Sequence, residues 1–266
     1  MSNDCAPRIA DIIGAIEASA PRSLQESYDN SGLQTGDPSA VCTGVMLAVD
    51  PVPAVIAQAQ ASGCNLVITH HPLLFKGLKS ITCSNPVEQT VIAAIRAGIT
   101  VYSAHTSLDR APGGVSRRMA EMLGLTHIEP LEADNADTAI GLGAVGSLPH
   151  TLTEARFIQL VKSTFGSPVA RHTRLTSREI RKVALCGGSG SSLLPLAIAE
   201  GAQAMVTSDT RYHDFVDYAD RILIVDIGHF ESERCSKSIF RAIITEKFPN
   251  FAHLYDATEN NPINYM

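Results

Sequence analysis

The sequence predicts an α/β protein in which mixed or largely parallel sheets are flanked by helices. Short apolar runs rich in β-branched residues alternate with helical segments, and proline or glycine marks most segment ends. The chain has 266 residues, 45% of them hydrophobic, which is enough to build a substantial core. Strands that alternate with helices are joined by crossovers, which place the strands parallel and the helices on the sheet faces.

The first elements follow this alternation. Isoleucines recur at helical spacing between positions 9 and 16, and a predicted strand at Val45–Asp50 comes after a turn-rich segment. Asp50, followed by Pro51, is expected to cap the next helix, which Gly63 ends. The run NLVITH then predicts a short buried strand that finishes in two adjacent histidines.

The next helix has a clear start and stop. Asn85 suits the N-cap, Pro86 the first helical position, Glu88 the third and Gly98 the end. A strand is predicted at Ile99–His105, and the amphipathic segment SRRMAEMLG follows a glycine-rich turn.

The second half begins where the composition turns polar. The polar stretch at 131–139 is a candidate domain boundary, and a helix is predicted at 152–165. GGSGSS matches no phosphate-binding motif and predicts a tight turn in which serine caps the next helix. The other signals are the strand-like runs VARHTRL, RKVALC, AMVTSD and RILIVDIGH, the helices LLPLAIAEG and ESERCSKSIFRAIITEKF, and a last strand, FAHLYDA. Two α/β domains fit this pattern better than one long sheet.

Composition excludes several classes of partner and compartment. The formal net charge of -6 argues against a general nucleic-acid or anionic membrane surface. No apolar run approaches the ~20 residues that span a bilayer, and no secretory signal is evident. The six cysteines (Cys5, Cys42, Cys64, Cys83, Cys186, Cys235) include no CxxC pair. We therefore expect reduced, mostly buried thiols in a cytoplasmic protein, without a disulfide framework or a thiolate zinc site.

Three predicted strand ends carry residues that can bind a metal ion. Ligands of open α/β sheets gather beyond the carboxyl ends of the strands. The candidate ligands there are three imidazoles and two carboxylates: His70, His71, Asp109, His229 and Glu233. This mixture suits Zn, Fe, Mn or Co. A single histidine at a strand end is more often an ordinary hydrogen-bonded polar residue, so spacing alone leaves both interpretations open.

Two of these strand ends, the one with His70 and His71 and the one with His229, differ in how the spacing of their residues allows metal binding. Neighbouring residues in a strand point to opposite sides, so His70 and His71 would not easily chelate one ion as a strand pair. Two neighbouring imidazoles at a loop edge can instead serve two ions ~3.5–4 Å apart. His229 and Glu233 are four residues apart and share a face if a helix begins near Phe230.

Five segments in order resemble the Nif-three-like family, whose members are often labelled GTP cyclohydrolase I type 2 homologs. They are SYDNSGLQTG, ITHHPLLFKGLKSI, VYSAHTSLDRAPGGV, MVTSDTRYHDFVDYA and DIGHFESE. The resemblance covers almost the whole chain, and THHP together with the distant GHFESE is specific as a pair. The chain resembles the short form, which lacks a long central insertion.

The resemblance implies a site with two divalent metal ions. His70 and Asp109 would bind one ion, His71 and His229 the other, and Glu233 would bridge them. It also implies two similar α/β domains: a discontinuous metal-binding domain at 1–130 plus 221–266, and a second domain inserted at 131–220. Members of the family look like toroidal homohexamers built as trimers of dimers, with the metal sites facing a cavity.

A metal-dependent hydrolase acting on a nucleotide or related heterocycle is the function that the resemblance favours. His105 and His213 are candidates for proton transfer, because imidazole exchanges protons near neutral pH. The alternatives are that His105 orients a ligand and that His213 is structural. Two other functions stay open: a dinuclear phosphoesterase or amidohydrolase with another substrate, and a non-catalytic metal-binding or interaction protein.

Overall fold

The computed structural model of the chain describes residues 6–266. Its strands are β1 (Gly32–Thr35), β2 (Val45–Ala48), β3 (Leu66–Thr69), β4 (Thr100–Ser103), β5 (Thr126–Glu129), β6 (Glu132–Ala133), β7 (Gly141–Leu142), β8 (Ala144–Thr153), β9 (Arg171–His172), β10 (Glu179–Ser189), β11 (Ala204–Ser208), β12 (Leu223–Asp226) and β13 (Leu254–Asp256). Its helices are α1 (Ile9–Ser19), α2 (Pro53–Ala61), α3 (Pro86–Ala97), α4 (Thr106–Arg110), α5 (Val115–Met122), α6 (Glu154–Phe165), α7 (Leu194–Ala199), α8 (Tyr212–Tyr218), α9 (His229–Glu233) and α10 (Ser236–Lys247).

The chain divides into two compact units, of which the first is discontinuous. The first unit runs to Leu108 and includes Ser236–Asn260, whereas the second comprises Asp109–Cys235 and Asn261–Met266. The sequence instead put the second domain at 131–220. The observed unit is longer because β5 pairs with β8 and β12 pairs with β11, so both outer segments belong to its sheet. The polar stretch after residue 130 holds the short β6–β7 hairpin.

The first unit is built on a five-stranded mixed sheet in the order β1-β4-β3-β2-β13. β4, β3, β2 and β13 are parallel, and β1 runs antiparallel to β4 at the edge. Every residue of β2, β3 and β4 is buried, as expected for parallel strands covered on both faces. The edge strand β1 was not predicted, because its sequence shows turn residues rather than an apolar run.

Helices cover this sheet, and one of them differs from the sequence expectation at its start. In α3 the Asn85 side chain accepts a hydrogen bond from the Glu88 amide, and Gly98 ends the helix in a left-handed conformation, as predicted. In contrast, α2 begins at Pro53 with Val52 as its N-cap. Asp50 is not the cap, because its carboxylate is bound by a histidine side chain.

The second unit has a six-stranded sheet in the order β5-β8-β10-β11-β12-β9. β10, β11 and β12 are parallel, whereas β5, β8 and β9 pair antiparallel with their neighbours. The segment predicted as one long helix is divided into α9 and α10, with Arg234 and Cys235 between them. The predicted α/β architecture with mixed sheets and flanking helices is confirmed.

Two findings concern the helices and the cysteines of the described residues. No helix among residues 6–266 is both long enough and apolar enough to cross a bilayer. Within the same range no disulfide forms, and four of the five cysteines are buried. The sixth, Cys5, lies outside the described residues.

Candidate metal centre

Three histidines of the first unit lie together beyond the carboxyl ends of β3 and β4. His70 and His71 directly follow β3, and His105 follows β4 after one intervening residue. The ring centroids are 5.2 Å apart for His70–His71, 5.3 Å for His70–His105 and 5.4 Å for His71–His105. One donor atom of each ring lies within 4.8 Å of the other two. Because β3 and β4 are parallel neighbours, their ends meet at one sheet edge and bring the rings together.

The backbone after β3 explains how adjacent histidines reach one place. The His70 amide donates to the Ala48 carbonyl at 3.3 Å and the His71 amide to the Val49 carbonyl at 3.0 Å, so the segment stays attached to the sheet beyond the strand. The two rings are tilted by 44°. The expectation that alternation would separate them applies within the strand, and both histidines lie past its last residue.

Two of these imidazoles are held by carboxylates. Nδ1 of His71 lies 2.7 Å from an oxygen of Asp50, and Nδ1 of His105 lies 2.8 Å from an oxygen of Asp29. An ionised carboxylate can only accept a hydrogen bond, so the proton of each neutral ring resides on Nδ1. The lone pair that can bind a metal ion is therefore on Nε2 in both rings.

The third imidazole has the same tautomer by a different contact. Nδ1 of His70 lies 3.1 Å from the Ala104 carbonyl oxygen, which is also only an acceptor. His70 is completely buried, so water does not compete for this hydrogen bond. All three rings thus present Nε2 as the basic nitrogen, the arrangement that outer hydrogen-bond partners impose on metal-binding histidines.

Asp29 makes the largest number of these supporting contacts. Its carboxylate accepts from the Asn30 amide at 2.7 Å, the Ser31 hydroxyl at 2.9 Å, the Thr106 amide at 3.0 Å and the Thr106 hydroxyl at 2.5 Å. Burial raises the pKa of Asp29, but hydrogen bonds from His105 and Thr106 outweigh this and hold the pKa well below its usual range. The Asp29 carboxylate is therefore ionised in the folded protein near neutral pH.

The donor chemistry fits a divalent transition metal ion. Three neutral imidazole nitrogens, converging from one sheet edge, suit Zn, Fe or Co better than the oxygen-preferring Ca or Mg. Carboxylate and carbonyl partners on the far nitrogens raise the basicity of the donors and fix the ring orientation.

The second unit holds a pair of metal-competent side chains on α9. Nε2 of His229 lies 2.9 Å from an oxygen of Glu233, as expected for residues one helical turn apart. Nδ1 of His229 lies 2.6 Å from an oxygen of Asp209, which follows β11. The predicted common face of His229 and Glu233 is confirmed, and a third carboxylate–imidazole pair repeats the pattern of the first unit.

A glycine in the second unit leaves room for the Glu233 carboxylate. Gly188 is the penultimate residue of β10 and has a φ of 63°. A Cβ atom at Gly188 would overlap Oε1 of Glu233 and would lie 3.4 Å from Cε1 of His229. The Gly188 amide also donates to the Ser232 hydroxyl on α9 at 3.0 Å. The GGSGSS segment is therefore more than a tight turn, because it packs against α9; its serines form no cap of the next helix.

Asp109 lies on α4, one turn after His105, and is not part of the three-histidine group. It is near two buried thiols of the second unit. Burial raises the pKa of Cys186 to about 12, and the negative charges of Asp109 and Glu233 add to the shift. The pKa of Cys235 is also raised to about 12 by burial, with Glu233 and Asp109 contributing. Both predicted carboxylate ligands, Asp109 and Glu233, thus lie close enough to Cys186 and Cys235 to raise the pKa values of these thiols.

The two proton-transfer candidates have different surroundings. His105 lies beside His70 and His71, and its ring also faces Phe75 edge-on at 6.2 Å. His213 is exposed on α8, with its ring 5.4 Å from that of Tyr212. His213 belongs to neither group of metal-competent residues among residues 6–266. Its role in proton transfer stays a prediction.

Sequence reasoning missed the residues that support the imidazoles. Asp29, Asp50 and Asp209 were not candidates, and Gly188 was assigned to a plain turn. A signal did exist for two of them, because Asp50 and Asp209 follow strands that neighbour the histidine-bearing strands of the same sheet. Asp29 is separated from His105 by 76 residues and follows no strand, so only the fold brings the two together.

Comparison with known proteins identifies the family of the chain. Residues 7–262 match the family model described as Duf34/NIF3 (NGG1p interacting factor 3). A Clostridium perfringens protein named "GTP cyclohydrolase 1 type 2 homolog" is 37% identical over 227 residues, covering 85% of this chain and 87% of its own. A Lactococcus lactis protein of the same name is 33% identical over 264 residues, covering 96% and 98%.

A solved structure agrees with the fold. The crystal structure of a Staphylococcus aureus hypothetical protein superposes with a TM-score of 0.91 at 25% identity, covering 98% of this chain and all of that one. The similarity extends over both units, each of which carries one of the groups described above. The resemblance recognised from the sequence motifs is confirmed, and the chain belongs to the Duf34/NIF3 family.

Proposed function

We propose that this chain is a dinuclear metal-binding hydrolase acting on a nucleotide or related heterocycle. The observation that carries the proposal is the three-histidine group of the first unit, in which acceptors on every Nδ1 leave Nε2 to bind a metal ion. The name of the curated relatives, GTP cyclohydrolase 1 type 2 homolog, supports the substrate class by association.

The ligand set in this proposal is the one that the family resemblance implies. His70 and Asp109 bind one divalent ion, His71 and His229 bind the other, and Glu233 bridges them. The second-unit geometry is compatible with this, since His229 and Glu233 already face each other. Zn, Fe, Mn and Co all suit such a set. The assembly we propose is the toroidal homohexamer implied by the same resemblance.

Two bound ions would make water acidic enough to act as a nucleophile near neutral pH and would stabilise the charge that develops on the attacked atom. Side chains of the protein would supply proton transfer and would attract the substrate. His105 presents a basic Nε2 beside His70 and His71, where it can accept a proton. His213 is the second candidate for proton transfer. Lys76 and Lys79 lie exposed in the loop after His71, where they can attract an anionic substrate.

The direct test of the reaction is formate release from GTP by metal-loaded protein. We expect turnover in the unaltered chain and none in a His71→Ala control, because that variant lacks a proposed ligand. Turnover equal to the control would exclude the cyclohydrolase function. Metal binding without turnover on GTP, phosphoesters or amides would instead favour an interaction protein that binds metal.

The bridging role of Glu233 has its own test. Glu233→Gln keeps the size of the side chain and removes its charge, so we expect elemental analysis to find one or both ions lost. Full retention of two ions per chain would contradict the assignment of Glu233 as the bridge.

A further inference from the structure

The segment SYDNSGLQTG marks the family resemblance, yet neither the ligand set nor the proposed reaction assigns it a chemical role. In the structure its residue Asp29, whose side chain is buried, contacts a histidine of the site. The Asp29 side chain is completely shielded from solvent, and the His105 side chain is 19% exposed. A buried carboxylate is costly unless donors surround it, so its presence beside the site calls for an explanation.

The Asp29 carboxylate is oriented by hydrogen bonds other than its contact with the His105 imidazole. One oxygen, Oδ2, accepts from the Thr106 amide, the Thr106 hydroxyl and the Ser31 hydroxyl. The other, Oδ1, accepts from the Asn30 amide and faces Nδ1 of His105. Donors on both sides therefore prevent rotation of the carboxylate, and Oδ1 has one fixed direction toward the ring.

The His105 end of this contact is fixed as well. Its backbone amide donates to the Ser31 hydroxyl at 3.1 Å, and Ser31 is itself bound to Asp29. His105 precedes α4, whose first residue, Thr106, is held by the same carboxylate. The backbone at His105 and Thr106 is therefore held by the same groups that hold the Asp29 carboxylate.

We propose that Asp29 is a positioning residue of the site: its carboxylate keeps the proton of His105 on Nδ1 and so makes Nε2 the basic nitrogen that faces His70 and His71. Without this acceptor both neutral tautomers are available to the ring, and one of them places N–H toward the site. The use of Nε2 as a proton acceptor rests on the proposed function, whereas the assignment of the tautomer does not.

The tautomer can be measured without any substrate. Magic-angle-spinning ¹⁵N NMR of chelator-treated, histidine-labelled protein above neutral pH distinguishes protonated from unprotonated ring nitrogens. A His105→Gln variant assigns the His105 signals by their loss. We expect Nδ1 of His105 to carry the proton in the unaltered protein. A His105 ring protonated on Nε2 would overturn the proposal without reference to any Asp29 variant.

The Asp29→Asn variant tests the cause. Its amide oxygen is expected to take the Oδ2 position, where three donors converge, which turns the amide NH₂ toward Nδ1 of His105. The His105 proton should then move to Nε2. Asp50→Asn is the matched control, because it makes the same change opposite His71 and should leave His105 unaltered. An unchanged His105 tautomer in folded Asp29→Asn protein would overturn the proposal.

Activity separates this proposal from the proposed function. If formate release is observed, Asp29→Asn should lower it ~100-fold, within the range of general acid–base catalysis. If Asp29→Asn shifts the His105 tautomer but leaves formate release undiminished, the proposed role of His105 Nε2 as a proton acceptor is overturned. Absence of release by the unaltered protein would exclude the cyclohydrolase function and leave the assignment of the His105 proton intact.

Discussion

Substituting alanine for Gly188 tests whether the backbone at the end of β10 has to leave room for the Glu233 carboxylate. Gly188 has a φ of 63°, a left-handed conformation that costs a residue with a Cβ atom roughly 1–2 kcal/mol. The added methyl would in addition overlap Oε1 of Glu233. Glu233 is a long side chain and can move aside, so we expect the larger effect on metal binding rather than on folding.

Gly201→Ala is the matched control for this substitution. Gly201 also lies in the second unit, has a φ of 75° and has nothing within 4 Å of an added Cβ. Both variants should therefore lose about 1–2 kcal/mol in denaturant unfolding of the metal-free protein. Only Gly188→Ala should also weaken metal binding, by about 10–100-fold, the usual effect of disturbing the support of a ligand.

The assay is a zinc titration in competition with a chromophoric chelator, run on the unaltered protein and on both variants. Equal zinc affinity of Gly188→Ala and Gly201→Ala would refute the reasoning, because the overlap with Glu233 would then have no consequence for the site. A stability loss far above that of Gly201→Ala would show instead that Glu233 cannot move aside.

Two further predictions concern folding. Hydrogen bonds from the backbone amides of Ser84 and Thr82 lower the pKa of Glu88 from 4.5 to about 2. The contribution of Glu88 to stability is therefore present above pH ~4.5 and is lost as the pH falls toward 2. Glu88→Gln should flatten the dependence of the unfolding free energy on pH in that window, and an unchanged slope would contradict this. Phe240 is fully buried on α10, so Phe240→Ala should cost ~3–5 kcal/mol in denaturant unfolding, whereas the exposed Thr245→Ala on the same helix should stay within about 0.5 kcal/mol; similar losses in both would contradict the packing.

Local signals predicted much of the fold. The all-buried parallel strands were visible as apolar runs, and the Asn85 and Gly98 caps of α3 follow from rules that act within a few residues. The pairing of His229 with Glu233 was predictable for the same reason, since one helical turn separates them.

Features set by distant parts of the chain were not predictable. Asp50 has the sequence of a helix cap, but the histidine after the neighbouring strand binds its carboxylate, and α2 begins later. The sequence around Arg234 continues a helical pattern, yet the structure divides it into α9 and α10. In both cases a local preference gives way to contacts that only the folded chain provides.

The supporting carboxylates illustrate the same limit at the site. Strand ends pointed to His70 and His71 because ligands gather at that edge of a sheet. Nothing local connects Asp29 with His105 across 76 residues. The metal-competent residues could therefore be found from motifs, whereas their tautomers and orientation required the structure.

The central claim is that the two histidines after β3, His70 and His71, bind divalent metal ions through Nε2. Anomalous-scattering maps from crystals of protein purified without added metal, measured at the absorption edge that fluorescence identifies, test this most directly. We predict anomalous peaks ~2.0–2.1 Å from Nε2 of His70 and of His71, with the protons of both rings on Nδ1. Crystals soaked in zinc that show no peak within coordination distance of either nitrogen would contradict the claim.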